Sequence, residues 1–232
     1  MTKNDKGATP ETPTISDLSE QMQIRLEKRA KLLESGREAY PVGVPVTRTI
    51  ASIREQYDGK LEADDTTGDI VGISGRVVFV RNTGKLCFAS LQQGDGTRIQ
   101  AMISLAGVGE EALTDWKSLV DLGDHVFVHG EVISSRRGEL SVMADSWQMA
   151  SKALRPMPNL HSDLSDETRI RQRYLDLMVR QEARDIVVKR AKITQMVRDV
   201  LNNHGYIELE TPILQLVHGG AFGGCLRRAA GG

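Results

Sequence analysis

Between Ile70 and Ala150, apolar and β-branched side chains recur at every second position in five separate runs, and this patterning constrains the fold more than any other feature of the chain. The runs read IVGISGRVVFVRN, KLCFASLQQ, TRIQAMISL, DHVFVHGEVIS and ELSVMADSWQMA. A period of two is the spacing of side chains on one face of a strand. NTG, GDG and SRRG separate neighbouring runs and supply the glycines and short polar residues of hairpin turns. The third and fourth runs are instead joined by GEEALTDWKSLVDLG, which has helical character.

Five strands with a helix after the third predict an OB-fold barrel. The usual ligand of that fold is an oligonucleotide, held across strands two and three and the loops beside them. Fold by itself does not establish function, so the site residues must carry the argument.

Around the barrel, at 70–150, the chain divides by composition. Residues 1–15 are rich in Thr, Pro, Lys and Asp and hold too few large apolar groups to offset the entropy of ordering them, so a disordered tail is expected. The stretch 16–69 is expected to be an N-terminal helix and its lead-in. Within it, Met22, Leu26, Ala30 and Leu33 recur at helical spacing and Gly36 supplies a stop. Arg25, Lys28, Arg29 and Lys31 make another face basic, which suits either a phosphate backbone or plain solvation. Residues 151–164 contain SKALRPMPNL, whose two prolines mark a linker.

A second domain is expected beyond the linker. Residues 165–180 look like one short capped helix, and 182–204 like a longer one with Ile186, Ile193, Val197, Val200 and Leu201 along one side, ended by Gly205. YIELETPIL then alternates like a strand, and Pro212 inside it fits an edge or interface position. The last residues, 222–232, are mostly Gly, Ala and Arg and continue neither period, so they read as an aberrant tail.

Composition narrows the classes of function. The 40% hydrophobic content, 26% charge and net charge of −1 belong to a globular chain, and with no overall positive charge any nucleic-acid site must depend on where basic groups cluster. Cys87 sits in a strand-like run and Cys225 in the glycine-rich end, which argues against a planned disulfide and for a reducing, cytoplasmic setting. No apolar run approaches the ~20 residues that span a bilayer, so no membrane association is expected. The five histidines, His125, His129, His161, His204 and His218, do not fall at zinc-site spacings, and no metal site is expected. HGGAFGGC lacks the Gly-Lys-Ser/Thr end of a phosphate loop, and no catalytic constellation is complete.

In the barrel, Phe88 is an aromatic in the second run and Arg81 a basic residue near the preceding turn, while Gln100 and Glu139 are polar residues in the third and fifth runs. Exposed, such side chains stack on bases and read their edges. Their other reading is barrel core for Phe88 and solvent-facing strand positions for Gln100 and Glu139.

TGKLCFASLQQGDGTRIQ, DLGDHVFVHGEV, GELSVMADSWQMASKALRPMPN, RIRQRYLDLMV and NNHGYIELETPILQ resemble the class II lysyl-tRNA synthetases, from about Ser16 to Ala221. Aspartyl and asparaginyl relatives share the barrel, but the LRP-MP linker and GELS favour the lysine enzyme. The resemblance implies an all-β OB-fold barrel preceded by an N-terminal helix and followed by the start of an α+β class II synthetase catalytic domain, at 165–221. It implies that Phe88 stacks on an anticodon base, that Gln100 and Glu139 read the uridine-rich lysine anticodon, that Arg81 stands near the same RNA loop, and that the basic N-terminal helix lies near tRNA. Gly205, Tyr206 and Pro212 match the first class II motif, which builds a homodimer interface.

HGGA at 218–221 resembles a loop whose backbone, at Gly219 and Gly220, contacts lysine, and the chain departs from the family at Phe222. The family uses ATP and magnesium and joins lysine to its tRNA. Because the later ATP-binding motifs do not appear in this sequence, no cofactor and no charging are expected of this chain alone, and tRNA for lysine is the expected partner. A stand-alone tRNA-binding module, and a partner that dimerises with a full-length synthetase, are the rival readings.

Overall fold

The computed structural model describes residues 19–158 and 164–210. The expected tail at 1–15, Pro212, Gly219, Gly220 and the 222–232 segment lie outside the described residues. By compactness the chain divides into a unit running to Arg184 and another from Asp185.

The five alternating runs form five strands: β1 (Thr66–Thr83), β2 (Leu86–Gln92), β3 (Arg98–Ser104), β4 (His125–Ser134) and β5 (Leu140–Ser151). They pair in the closed order β1-β2-β3-β5-β4, the ring of an OB fold. Every pairing is antiparallel except that of β3 with β5. A parallel pairing needs a crossover, and the segment between β3 and β4 supplies one containing a helix, Leu105–Leu119.

β1 is long enough to serve two neighbours: its first half pairs with β4 and its second half with β2. Between them the register slips by one residue at Val77/Phe79, a bulge that bends the strand. Inside the ring stand Val71, Ile73, Val77, Leu91, Ile99, Ile103, Val126, Val128 and Val142, each at most 1% exposed.

Among the described residues six helices surround or follow the ring: α1 (Glu20–Glu34), α2 (Ile50–Tyr57), α3 (Leu105–Leu119), α4 (Asp166–Arg171), α5 (Arg173–Val179) and α6 (Gln181–Asn203). Helix α3 packs on β3 and β5, with Trp116 meeting Trp147 edge-on at 5.2 Å between ring centroids. Helix α2 was not foreseen. Thr49 caps it by accepting from the Ser52 amide, and Ile50 and Ile53 are wholly buried.

The expected inward stripe of α1 is corrected. Ala30 and Leu33 are exposed, whereas Arg25 and Leu32 are buried. The cause is polar docking: the Arg25 guanidinium donates to the carbonyls of Ala153 and Leu122 at 2.9 Å, and Lys28 pairs with Asp121 at 2.6 Å.

Behind that contact lies a buried charge cluster. Lys152 Nζ donates to the Leu119 carbonyl, to Asp121 Oδ2 and to Asp124 Oδ2, each at 2.7 Å. Asp124 also accepts from the backbone amides of Asp121 and Ala153 at 2.8 Å. These bonds join α1, the α3–β4 loop and the end of β5.

The single helix expected at 165–180 is two, because Gln172 leaves helical geometry at φ −116°, ψ 56°. The second attaches to the ring through Gln92 Nε2, which donates to the Met178 carbonyl, and the start of α6 does so through Gln181 Nε2, which donates to the Asp95 carbonyl. In the unit from Asp185, Ile193, Val197 and Val200 on α6 are exposed, and residues 206–210 of the expected strand form no regular element. No described helix is long and apolar enough to cross a membrane.

Truncating one partner of a buried ion pair strands the other, so Lys152→Ala will lower unfolding free energy by about 3–5 kcal/mol in urea titrations. The pH dependence follows from two groups. Burial pushes the Asp121 carboxyl up, but hydrogen bonds from Lys152 and Lys28 outweigh it and hold its pKa below the ordinary value. Its contribution is therefore full above the unfolded value of ~3.9 and is lost as pH falls below that.

Burial first, and the Arg76 charge second, lower His125 to about 4. The unfolded chain then binds a proton near pH ~6.5 that the folded chain refuses until pH falls to about 4, so stability declines across that window. In urea midpoints measured against pH, His125→Gln will flatten the decline there and leave the loss at lower pH.

Candidate nucleic-acid interface

Alternation sends every second side chain of β2, β3 and β5 outward. Cys87, Ala89 and Leu91 of β2 and Ile99, Ala101 and Ile103 of β3 fill the ring, so Phe88, Gln100 and Met102 stand on its outer face. Cross-strand register arranges these outward side chains in two rows. One runs Arg81, Phe88, Met102, Met143, and the next runs Phe79, Ser90, Gln100, Ser141. Beside the rows lies the turn between β4 and β5, with Arg136, Arg137 and Glu139.

Arg81, Phe88, Gln100 and Glu139, the four residues singled out in the sequence, all line one cavity of about 690 Å³ on this face. The Arg81 guanidinium stands over the Phe88 ring, 4.8 Å from its centroid, a cation–π contact between register partners. Gln100 Nε2 donates to Ser141 Oγ at 2.9 Å, which fixes the amide plane. Glu139 lies one residue ahead of β5 rather than within it, with its backbone bonded to Ser135 and a carboxylate oxygen 3.4 Å from Arg54 Nη2.

Chemically the cavity offers an aromatic ring for stacking, an amide that both donates and accepts, and a carboxylate that only accepts. Arginines border it: Arg136 is a loose partner of Asp64 at 4.0 Å, and both are largely exposed. This set suits an unpaired base with an imino or amino proton to offer and a phosphate beside it.

The N-terminal basic residues divide. Arg25 is 8% exposed and Lys28 is paired with Asp121, so both are employed in docking α1. Arg29 lies 5.7 Å from the Tyr40 ring centroid, and Lys31 is exposed. Gly205 closes α6 at φ 84° and Tyr206 is exposed in the unit from Asp185.

Among the described residues no group of His, Cys, Asp and Glu could hold a metal ion. His129 pairs with Asp145 at 2.8 Å.

Several cavity residues were not found by sequence reasoning. Met102 and Met143 alternate regularly, and strand pairing could have marked them as outward beside Phe88. Phe79 could not be read that way: strict alternation from Val71, Ile73 and Val77 puts it inside, and the bulge at Val78 turns it out.

Comparison with known proteins adds an independent line. Residues 71–150 match the family model for the OB-fold nucleic acid binding domain, and residues 165–223 match that for class II tRNA synthetases (D, K and N). A lysine–tRNA ligase of Kineococcus radiotolerans is 60% identical over 89% of this chain and 41% of its own length. One of Mycobacterium tuberculosis is 56% identical over 90% of the chain and 41% of its own length. The lysylphosphatidylglycerol biosynthesis bifunctional protein LysX of Mycobacterium ulcerans is 42% identical over 88% of the chain and 18% of its own length. The chain thus spans about two fifths of the length of the ligases it matches.

Outward placement has a consequence for stability. Phe88→Ala and Gln100→Ala will each cost less than about 1 kcal/mol in urea unfolding, as surface substitutions do. Ile103→Ala, one position inward, will cost about 2–5 kcal/mol because it opens a cavity in the core.

Proposed function

We propose that this chain, homologous to the lysine–tRNA ligases along 90% of its own length, grips the anticodon loop of lysine tRNA on the outer face of β2, β3 and β5. The observation that carries the reading is the convergence of Arg81, Phe88, Gln100 and Glu139 on one cavity of this face.

In this reading a loop base takes up the stack that Arg81 makes with Phe88, and the released guanidinium meets a phosphate. Gln100, braced by Ser141, pairs with the edge of a base through its amide. Glu139 accepts from an imino or amino proton, such as the N3–H of uracil. Arg29 and Lys31 on α1 remain for contact with tRNA backbone, at the distance such long side chains reach. The division into 16–69, 70–150, 151–164 and 165–221 is proposed to separate lead-in, anticodon-binding barrel, linker and class II segment. Gly205, Tyr206 and Pro212 are proposed to serve pairing with a second synthetase chain, and Gly219 and Gly220 to face lysine.

Charging of tRNA with lysine, using ATP and magnesium in the cytoplasm, is the activity proposed for chains that span the full length of the ligases this chain matches. For the chain as given we propose binding without charging. Adenylation requires positioned charges around the reacting phosphate, which the anticodon face does not supply. The rival of a tRNA-binding module acting by itself draws support from the barrel's own closed core, complete without the residues after Arg184.

Titration of purified chain with lysine tRNA at stated salt, beside a lysine- and ATP-dependent charging assay, tests both statements. Binding with no charging is the expected outcome, and Phe88→Ala will weaken it by about 1–3 kcal/mol, the value of one stacked base. Unchanged affinity of that variant would remove the anticodon assignment.

A further inference from the structure

Among the described residues, Phe79 is the one aromatic on the barrel strands that is mostly in water, at 55% exposure. Its position depends on the bulge in β1. Val77 and Val78 are both buried, and Phe79 emerges into solvent, whereas regular pleating onward from Val77 would have buried it. Bulges re-aim side chains next to binding sites. This one leaves a large apolar surface in solvent.

The ring emerges beside the cavity already described and forms part of its wall. Its register partner is Ser90, and the row continues through Gln100 to Ser141. Phe88 lies in the neighbouring row, whose β1 member, Arg81, is two residues from Phe79, roughly 7 Å along an extended strand. That offset is comparable with one step of an extended nucleotide chain. Each aromatic therefore has its own row: Phe88 has Arg81 and the methionines, and Phe79 has Ser90 and Gln100, whose polar groups can meet the edge of a base lying on the ring.

We propose that Phe79 is a second stacking platform, so that this face holds two neighbouring unpaired nucleotides, one on Phe88 and the next on Phe79. The inference rests on the anticodon-binding reading and adds to it a residue and a second base. Aromatics on adjacent strands of a sheet stack successive bases in other single-strand RNA binders, because every base has a π face. Gln100 then reads the base on Phe79 rather than the one on Phe88.

The test uses the full chain and a synthetic stem-loop with the lysine anticodon, together with a set of the same RNA carrying a single abasic nucleotide at each loop position. Phe79→Ala is expected to weaken binding of the intact stem-loop by about 5- to 150-fold. It is also expected to make one loop position indifferent to base removal, next to the position that Phe88→Ala makes indifferent. Phe79→Leu keeps an apolar side chain without a π face; it is expected to lose the same position and serves if the alanine variant folds poorly.

If Phe79 variants bind as wild type with an unchanged abasic profile while Phe88→Ala is weakened, the second platform is wrong and the anticodon reading stands. If Phe88→Ala also binds as wild type, both fall.

Discussion

Four residue pairs between β3 and β5, Gln100 to Ile103 against Ser141 to Ala144, close the ring, and the rest of the site depends on that seam. Without it β2 and β3 would be a hairpin with an open edge, and β5 would pair only with β4. With it, the outward faces of three strands become one surface. The seam also orients the side chain proposed to read a base, since the Gln100 amide is held by Ser141 across it. A side chain braced at the closure of a barrel has little freedom to lose on binding, which is how a neutral amide becomes a selective contact.

A second constraint is electrostatic. Lys152, Asp121 and Asp124 lie where α1, the α3–β4 loop and the end of β5 meet. Burying these charges is costly, and only the completeness of their hydrogen bonding makes the cluster tolerable. The arrangement adds direction to the apolar anchor that Leu32 supplies, so Arg25 and Lys28 point at the barrel and the basic stripe of that helix is partly consumed. Charge that looks available in a sequence is available to RNA only when nothing nearer claims it.

Much of the fold was legible. Five runs with a helix after the third pointed to an OB-fold ring, and the outward placement of Phe88 and Gln100 follows from Cys87, Ala89, Ile99 and Ala101 pointing in. Three features were not legible, each for a local reason. Helix α2 has eight residues, too few for a period to show, although Thr49 before Ile50 and Ile53 is a cap signal. The face of α1 was misjudged because its docking is polar. The break at Gln172 lies between the helix formers Arg171 and Arg173, and backbone geometry there departs from local preference. Within the candidate site, Phe79 was hidden because a bulge leaves no mark in composition.

That bulge has a wider meaning for β1. The strand is written in two parities: odd-numbered residues from Val71 to Val77 build the core, and past the bulge it is the even-numbered Val80 that packs against it. One extra residue acts as the switch between them. A single deletion near Val78 would keep composition, hydropathy and strand propensity almost unchanged, yet it would exchange what is packed for what is presented along the second half of the strand, Phe79 and Arg81 included. Such a change would be nearly silent to a pattern search and severe for the surface, so the face offered to a ligand is specified by counting as much as by chemistry.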